Sequence, residues 1–264
     1  MSVYCELVKR EYVALVVDNI ILCDSYNNED VTSCRISTGI DTDTNDKVIV
    51  LIEQASGLIV SIQYGDIESD TVTLPKENTQ IITFPPGSTL LPGFIDCHVH
   101  LTIGTDDYQL DHLRLSSADK ALRALKAAQS LLQVGFTTIR TAGDADMYYP
   151  TFALARSITK GDFDGPRIVG AGHYISVTGG GGDINFMSPD NCGCCTADGI
   201  IANGRDEMIK AVRTEIKYGS TWIKVLATGA FMSASTNDVD SPENSHFSKE
   251  ELEIVVEGTV YCIM

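Results

Sequence analysis

The stretch LLPGFIDCHVH, residues 90–100, constrains the fold of this chain most strongly. It contains a Pro-Gly turn, continues as an apolar run and ends in His98 and His100. Side chains alternate across a strand, so histidines two residues apart project to the same side and could bind one metal ion. Such pairs also occur by chance at strand ends that bind nothing. Alternating strand and helix patterns follow, which favours the carboxyl end of a first parallel strand, where (β/α) barrels place their chemistry.

The pattern before residue 89 predicts a β domain. Strand-like runs occupy Tyr12–Leu22, Lys47–Glu53, Leu58–Tyr64 and Ile81–Phe84. The turn at residues 54–57 suits a hairpin, and the polar residues 24–46 have the composition of a surface insertion. Because no helical period occurs, we expect residues 1–88 to form a small composite β-sandwich, incomplete by itself.

From residue 89 onward, strand patterns alternate with helix patterns. Strands are predicted at residues 136–140, 167–171 and 221–226, and helices at residues 117–134, 150–160 and 205–218. Each helix is followed by a glycine, the residue that most often terminates a helix. The first helix is expected to bury a stripe that comprises Ala118, Leu122, Leu125, Gln129 and Leu132.

A fourth helix is predicted from its start signals. Ser248 and Glu251 have the spacing of a capping box, and Phe247 and Leu252 that of a hydrophobic staple. Beyond Gly258 the helical pattern is not continued.

Four successive βα units make either a small open sheet or half of an eightfold barrel. An open doubly wound sheet commonly has a glycine-rich first turn, whereas this first turn carries histidines. We therefore predict an α/β fold in which residues 89–264 form the first half, about four βα units, of a TIM-type (β/α)8 barrel, preceded by the N-terminal β-sandwich.

The composition excludes several kinds of partner. The formal charge of −17 argues against nucleic acid and anionic membranes, which recruit Lys and Arg. No apolar run approaches the ~20 residues of a membrane span, and the start lacks an apolar signal segment, so we expect a cytoplasmic protein. Eight cysteines in 264 residues do not make a disulfide scaffold. The cluster Cys192-Gly193-Cys194-Cys195 lacks a second ligand pair nearby, so free loop thiols are expected there.

Lys224 is the second residue that points to chemistry. It lies in the predicted strand WIKVL, where a buried ammonium is costly unless it is paired or modified. A lysine that reaches the strand end and contacts a carboxylate is the simpler explanation. The His-x-His pair on the first strand, however, favours a functional role for Lys224.

Five stretches in this order resemble the amidohydrolase superfamily, in its imidazolonepropionase-like, prolidase-like and fungal ochratoxin-amidase-like branch. They are LLPGFIDCHVHL (90–101), GFTTIRTAGD (135–144), GPRIVGAGHYISVTGGGGD (165–183), IKVLATGAFMS (223–233) and FSKEELEIVVE (247–257). The resemblance implies that His98 and His100 bind the more buried metal. It also implies that Lys224 is N-carboxylated and bridges two divalent cations, with zinc as the expected metal. The implied reaction is hydrolysis of an amide or peptide-like C–N bond by a metal-activated hydroxide, on a small amide or dipeptide-like substrate.

The chain departs from the family pattern at three positions. Gly181 stands where many relatives have a histidine, Thr141 replaces an Asp common after strand two, and Ala230 replaces a Gly after strand four. The run Gly179–Gly182 precedes no Gly-Lys-Ser/Thr and is not expected to bind phosphate; it is expected to let the long loop at residues 173–199 approach the site closely.

The resemblance also implies ligands that are not found after Lys224, namely histidines on strands five and six and an aspartate on strand eight. His246 is expected to be a loop residue. We therefore expect a fragment with little or no hydrolase activity, either a short product or a gene model that ran past an exon boundary near Glu257. The alternatives are a non-catalytic regulatory half-barrel that pairs with a full-length paralogue or forms a homo-oligomer, and a complete open-sheet protein in which His98, His100 and Lys224 are incidental.

Overall fold

The computed structural model describes most of the chain from residue 12 to residue 262. The described residues are 12–17, 19–23, 36–38, 47–53, 58–65, 72–73, 79–85, 88–104, 111, 114–183, 199–228 and 245–262. They divide into two compact units, Met1–Pro92 and Gly93–Met264. That residues 1–88 form a composite β-sandwich stays a prediction.

The first unit consists of strands in two sheets. The strands are β1 (Tyr12–Val17), β2 (Asn19–Cys23), β3 (Ile36–Thr38), β4 (Val48–Glu53), β5 (Leu58–Tyr64), β6 (Thr79–Thr83) and β7 (Thr89–Leu90). One sheet has the order β5-β4-β1-β6, in which β1 pairs antiparallel with β4 and parallel with β6. The other has the order β3-β2-β7.

The hydrophobic run of β4 forms the interior of this unit. Val48, Ile49 and Val50 are each at most 2% exposed, as expected of a central strand with a sheet neighbour on each side. The predicted strands at residues 47–53 and 58–64 are confirmed, and they pair antiparallel. Their turn, residues 54–57, lies outside the described residues. The segment predicted as a surface insertion contains β3, and the rest of it also lies outside them.

The second unit alternates strands and helices. Its elements are β8 (Phe94–Val99), α1 (Ser117–Gln133), β9 (Phe136–Ala142), α2 (Pro150–Lys160), β10 (Arg167–Ala171), β11 (Tyr174–Ser176), β12 (Ile200–Ile201), α3 (Gly204–Tyr218), β13 (Lys224–Val225) and α4 (Lys249–Cys262). The strand pairs β8/β9, β9/β10, β11/β12 and β11/β13 are all parallel. The predicted α/β class is therefore confirmed.

The predicted buried stripe of α1 is correct only in part, since Leu125 is partly buried and packs against the core. The buried side chains are Lys120, Ala124 and Ala128, while Leu122 is 68% exposed and Ala118 is also exposed. The two alanines belong to the core cluster that contains Ile139 of β9. Their small side chains allow close packing, whereas a stripe chosen by hydrophobicity favours large residues.

The predicted end of α4 is wrong, because the helix continues through Gly258 to Cys262. A Cβ atom at residue 258 would lie 3.4 Å from Val212 Cγ1 of α3, an ordinary van der Waals distance, so this glycine lies on the face of α4 that packs against α3. The capping box is confirmed: Ser248 N–H donates to Glu251 Oε2 at 2.8 Å, and Glu251 N–H donates to Ser248 Oγ at 3.2 Å.

Over the part of the chain that the structure describes, none of the helices combines the length and the apolar character needed to cross a membrane.

Candidate active site

The two histidines singled out in the sequence lie side by side at the carboxyl end of β8. Val99, between them, packs against the core cluster of α1 and β9. Because side chains alternate across a strand, His98 and His100 project away from that cluster. Their ring centroids are 5.3 Å apart, with an interplanar angle of 63°. The register of β8 against β9 shifts between Asp96 and Val99, so the strand is irregular where it carries the histidines.

One hydrogen bond determines which nitrogen of His100 is available to a ligand. Nδ1 of His100 lies 2.5 Å from the backbone oxygen of Gly143, in the loop after β9. A carbonyl oxygen can only accept a hydrogen bond, so Nδ1 carries the proton and the lone pair of a neutral ring is on Nε2. Histidine ligands of metals are commonly oriented by such a bond.

The electrostatic surroundings of His98 favour its neutral form. Partial desolvation lowers the pKa of His98, the positive charge of Lys224 lowers it further, and His100 and Arg140 act in the same direction. The carboxylate of Asp96 opposes these effects. Only a neutral imidazole can bind a metal, so the site disfavours the competing proton.

Lys224 lies in β13 and is half-buried. It pairs in register with Tyr174 of β11. The preceding backbone N–H groups of Thr221 and Trp222 donate to the carbonyl of Gly170 at 2.9 and 3.1 Å, which fixes the start of this segment beside β10. The positive charge of Lys224 acts on His98, so these two residues interact electrostatically; that Lys224 and the histidine pair form one site stays a prediction.

Arg140 of β9 belongs to the same neighbourhood and was not singled out in the sequence. Its Nε–H donates to the carbonyl of Cys97 at 2.8 Å, and its Cζ lies 4.6 Å from the centroid of the Trp222 ring. Its one visible signal in the sequence is a charged residue within a predicted strand. Arg140 therefore supplies a second positive charge next to the histidine pair.

The loop that carries Gly143 is held by a buried ion pair. Lys120 Nζ of α1 lies 3.3 Å from Asp146 Oδ2 and donates to the carbonyl of Ala145 at 2.8 Å. The hydroxyl of Ser117 also contacts Asp146, at 2.8 Å from each carboxylate oxygen. These bonds explain why Lys120 is buried and fix the loop three residues from Gly143.

A second cluster, the His173 network, holds the same loop from the other side. His173 lies between Glu215 Oε1, 2.7 Å from Nδ1, and the carbonyl of Asp146, 2.6 Å from Nε2. Glu215 Oε1 also accepts from the hydroxyl of Tyr149 at 2.9 Å, and Oε2 accepts from that of Ser220 at 2.5 Å. Because one neighbour of His173 is a carbonyl and the other a carboxylate, both ring nitrogens donate, and the ring is positively charged.

The carboxyl groups of this region have pKa values shifted in opposite directions. Burial alone would raise the pKa of Glu215, but the hydrogen bonds and charge of His173 and the hydroxyl of Ser220 outweigh it, and the net pKa is lowered. Asp144, 1% exposed, has its pKa raised by burial, with Thr151, Thr102 and His100 opposing that shift only in part.

The glycine-rich segment packs closely onto β11. Gly182 N–H donates to Ser176 Oγ at 3.1 Å, and a Cβ atom at this glycine would lie 2.8 Å from the Tyr174 ring. Gly179 has a φ of +74°, which glycine adopts without strain. Residues 184–198, including the cysteine cluster, lie outside the described residues, and so does Ala230; the approach of this loop to the site stays a prediction.

The donor set is compatible with a divalent cation. His98 and His100 offer two adjacent imidazoles, and the lone pair of His100 Nε2 is directed away from its backbone partner. In the described ranges, no group of three or more His, Cys, Asp or Glu side chains is arranged to bind a metal ion.

Comparison with known proteins identifies the family. The amidohydrolase family profile matches residues 89–258. Ochratoxinase of Aspergillus niger is 33% identical over 183 residues, which are 64% of this chain and 36% of that protein. A Xaa-Pro dipeptidase with bound methionine superimposes with a TM-score of 0.72 at 25% identity, over 96% of this chain and 55% of that one. A prolidase complexed with N-methylphosphonate-L-proline superimposes with a TM-score of 0.67 at 27% identity, over 96% of this chain and 54% of that one.

The chain thus spans about half the length of the solved relatives that it matches. The family match covers β8 to α4, which include the histidine pair and Lys224. This chain belongs to the amidohydrolase family.

Proposed function

We propose that this chain carries part of the metal site of an amidohydrolase that hydrolyses the C–N bond of a small amide or dipeptide-like substrate. The observation that carries the proposal is the adjacent pair His98 and His100, in which Gly143 holds the Nδ1 proton of His100 and directs Nε2 outward. The ochratoxinase and the dipeptidase among the relatives support this substrate class.

In this proposal each site residue has a separate role. His98 and His100 would hold the more buried cation through neutral imidazoles. The amine of Lys224 adds to CO2, forming an N–C bond and releasing a proton, and the resulting carbamate presents two oxygens that can bind two cations, with zinc as the expected metal. A divalent cation held by these residues would supply Lewis-acid chemistry, namely a lowered pKa of the attacking water and polarisation of the scissile carbonyl. Arg140, beside the pair, stabilises negative charge on the carbamate.

The order of the parallel strands supports the predicted barrel. β8, β9 and β10 are neighbours in chain order, and the carbonyl of Gly170 bonds the segment that leads into β13. We propose that these four strands belong to the first half of a (β/α)8 barrel, with the three site residues at its carboxyl end.

Metal binding is the direct test. The purified chain is dialysed against Zn²⁺, and the bound metal is measured by elemental analysis for the wild type, His98→Ala, His100→Ala and the control His246→Ala. We expect zinc to be retained by the wild type and the control and lost from the two site variants. Equal zinc contents in all four proteins would contradict the site.

Carboxylation and hydrolysis are tested separately. A carbamate signal in ¹³C NMR after incubation with ¹³C-bicarbonate is expected for the wild type and absent from Lys224→Arg. Because the chain carries only part of the metal site, little or no hydrolysis of Xaa-Pro dipeptides and N-acyl amino acids is expected from it, and any that occurs should be lost on chelation and in His98→Ala. Hydrolysis that survives both treatments would exclude the proposed chemistry.

An exposed sheet edge favours one second candidate, a partner-binding half-barrel. β8 is the last strand of its three-stranded sheet, and Phe94 and Ile95 on it are 47% and 63% exposed. Such edges promote pairing with another chain. Light scattering after size-exclusion chromatography distinguishes a monomer from a self-paired form. A monomer at all concentrations would exclude self-pairing.

A further inference from the structure

A cavity of about 670 Å³ lies against helices α2 and α3, and none of His98, His100 and Lys224 lines it. Its wall comes from the loop before α2, from β12 and from one side of α3. Cavities between about 300 and 1,000 Å³ suit a small organic ligand. The cavity is therefore large enough for a ligand of its own.

Aromatic side chains form one wall of this cavity. The rings of Tyr149 and Tyr218 stack with centroids 4.6 Å apart and an interplanar angle of 29°. Tyr149 is fixed in place, because its hydroxyl donates to the buried Glu215 at 2.9 Å. Tyr148, next to it, is 77% exposed. The wall thus offers a rigid aromatic surface and one accessible ring to a planar ligand.

Positive charge without an acidic partner lines another part of the cavity. Arg156 of α2 and Lys210 of α3 both line it, and neither forms an ion pair with any residue that the structure describes. The acidic lining residue Glu207 instead accepts a hydrogen bond from Asn203 N–H at 2.7 Å. Arg213 and Lys217 extend the row of cations along α3 at spacings that place them on the side of Lys210.

We propose that this cavity binds a small aromatic carboxylate. The aromatic ring lies against the tyrosine wall, and the carboxylate contacts Arg156 and Lys210. The net charge of the chain is −17, so an anion is attracted to this surface by local and not by overall charge. The site is separate from the proposed metal site and does not depend on it.

The test compares two probes of closely similar size and shape, the anion 2-naphthoate and the neutral 2-naphthamide. Binding to the full chain is measured by saturation-transfer NMR titration at physiological ionic strength. For probes of this size we expect a Kd on the order of 1 mM for naphthoate. Exposed ion pairs add little each, so we expect naphthamide to bind roughly fivefold more weakly.

Variants locate the binding. The double variant Arg156→Gln/Lys210→Gln is expected to bind naphthoate as weakly as naphthamide. Tyr148→Ala is expected to weaken the binding of both probes. Arg205→Gln, which removes an exposed cation of α3 outside the cavity, is the matched control and leaves both affinities unchanged. All these side chains are exposed, and equal melting temperatures verify that the variants fold.

Three results would each overturn the proposal. The first is the absence of saturable naphthoate binding to the wild type. The second is equal affinity for the two probes. The third is a loss of naphthoate affinity in Arg205→Gln as large as in the double variant, which would indicate that surface cations of α3 act at a distance and that contact within this cavity is not required.

Discussion

His173 and Glu215 form an ion pair removed from solvent: Nδ1 and Oε1 are 2.7 Å apart, and both side chains are 0% exposed. The pair connects α3 to the carbonyl of Asp146, in the loop whose Gly143 orients His100. A buried pair contributes little compared with apolar packing, but breaking it leaves one charge buried alone. Its role is therefore to fix the position of this loop.

Glu215→Gln is expected to lower the free energy of unfolding by about 3 kcal/mol, because the positive ring of His173 loses its anion in a buried site. Urea unfolding measures this difference. Glu253→Gln is the matched control, since Glu253 pairs with Lys249 at 3.4 Å on the surface, with 59% and 90% of the two side chains exposed. That change is expected to cost less than about 1 kcal/mol. Equal losses of unfolding free energy in the two variants would mean that the buried pair is no more important for stability than the surface pair.

Stability is expected to depend on pH through the same carboxyl group. The pKa of Glu215 is lower in the folded protein than its ordinary value of 4.5. The unfolded state therefore binds more protons below that value, and the contribution of Glu215 is present above it and lost as the pH falls through the folded pKa. Urea unfolding between pH 3 and pH 7 should show a smaller loss on acidification in Glu215→Gln than in the wild type. Parallel profiles would contradict the lowered pKa.

Asp144 is expected to show the opposite dependence. Burial raises the pKa of Asp144 above its ordinary value of 3.8, so the folded state binds more protons than the unfolded state between the two values. Its ionisation therefore reduces stability as the pH rises through this interval. Asp144→Asn should gain stability relative to the wild type from acid to neutral pH, by about 1.4 kcal/mol for every tenfold difference between the acid constants of the folded and unfolded states. A difference that does not change with pH would exclude a raised pKa.

The observed buried face of α1 can be tested by two substitutions on one helix. Ala128→Leu adds volume at a position with 0% exposure, so it is expected to cost about 1–3 kcal/mol. Leu122→Gln changes a side chain that is 68% exposed, and its effect is expected to stay within about 0.5 kcal/mol. Thermal unfolding of both variants measures the difference. A larger loss of stability in Leu122→Gln than in Ala128→Leu would instead support the hydrophobic stripe predicted from the sequence.

Local sequence patterns are sufficient for much of the fold. Strand-like apolar runs predict β5 and the central strand β4, and Pro150 with Gly161 predicts both ends of α2. Such patterns report which face of an element is apolar and where the element begins or ends. They do not report depth of packing, so the burial of Lys120 has no signal in the sequence.

The candidate site likewise has a part that the sequence predicts and a part that it does not. His98 and His100 are neighbours in sequence, so their proximity can be predicted from strand geometry alone. The His173 network joins residues about 40 positions apart, as in the bond from His173 to Glu215, and no local signal connects them. Arg140 cannot be placed from the sequence because its partners, Cys97 and Trp222, come from other segments of the chain. Tertiary contacts between distant polar residues require the structure.

The tautomer of His100 gives the last prediction. Because the Gly143 carbonyl lies 2.5 Å from Nδ1, the neutral ring is expected to carry its proton on Nδ1, although free histidine favours the Nε2 form. Long-range ¹H–¹⁵N correlation spectra of the metal-free protein distinguish the two forms, and His100→Gln identifies the signal. Added Zn²⁺ should shift Nε2 and leave Nδ1 protonated. A ring protonated on Nε2 would mean that Gly143 does not orient it, and the geometry proposed for the metal site would then fail.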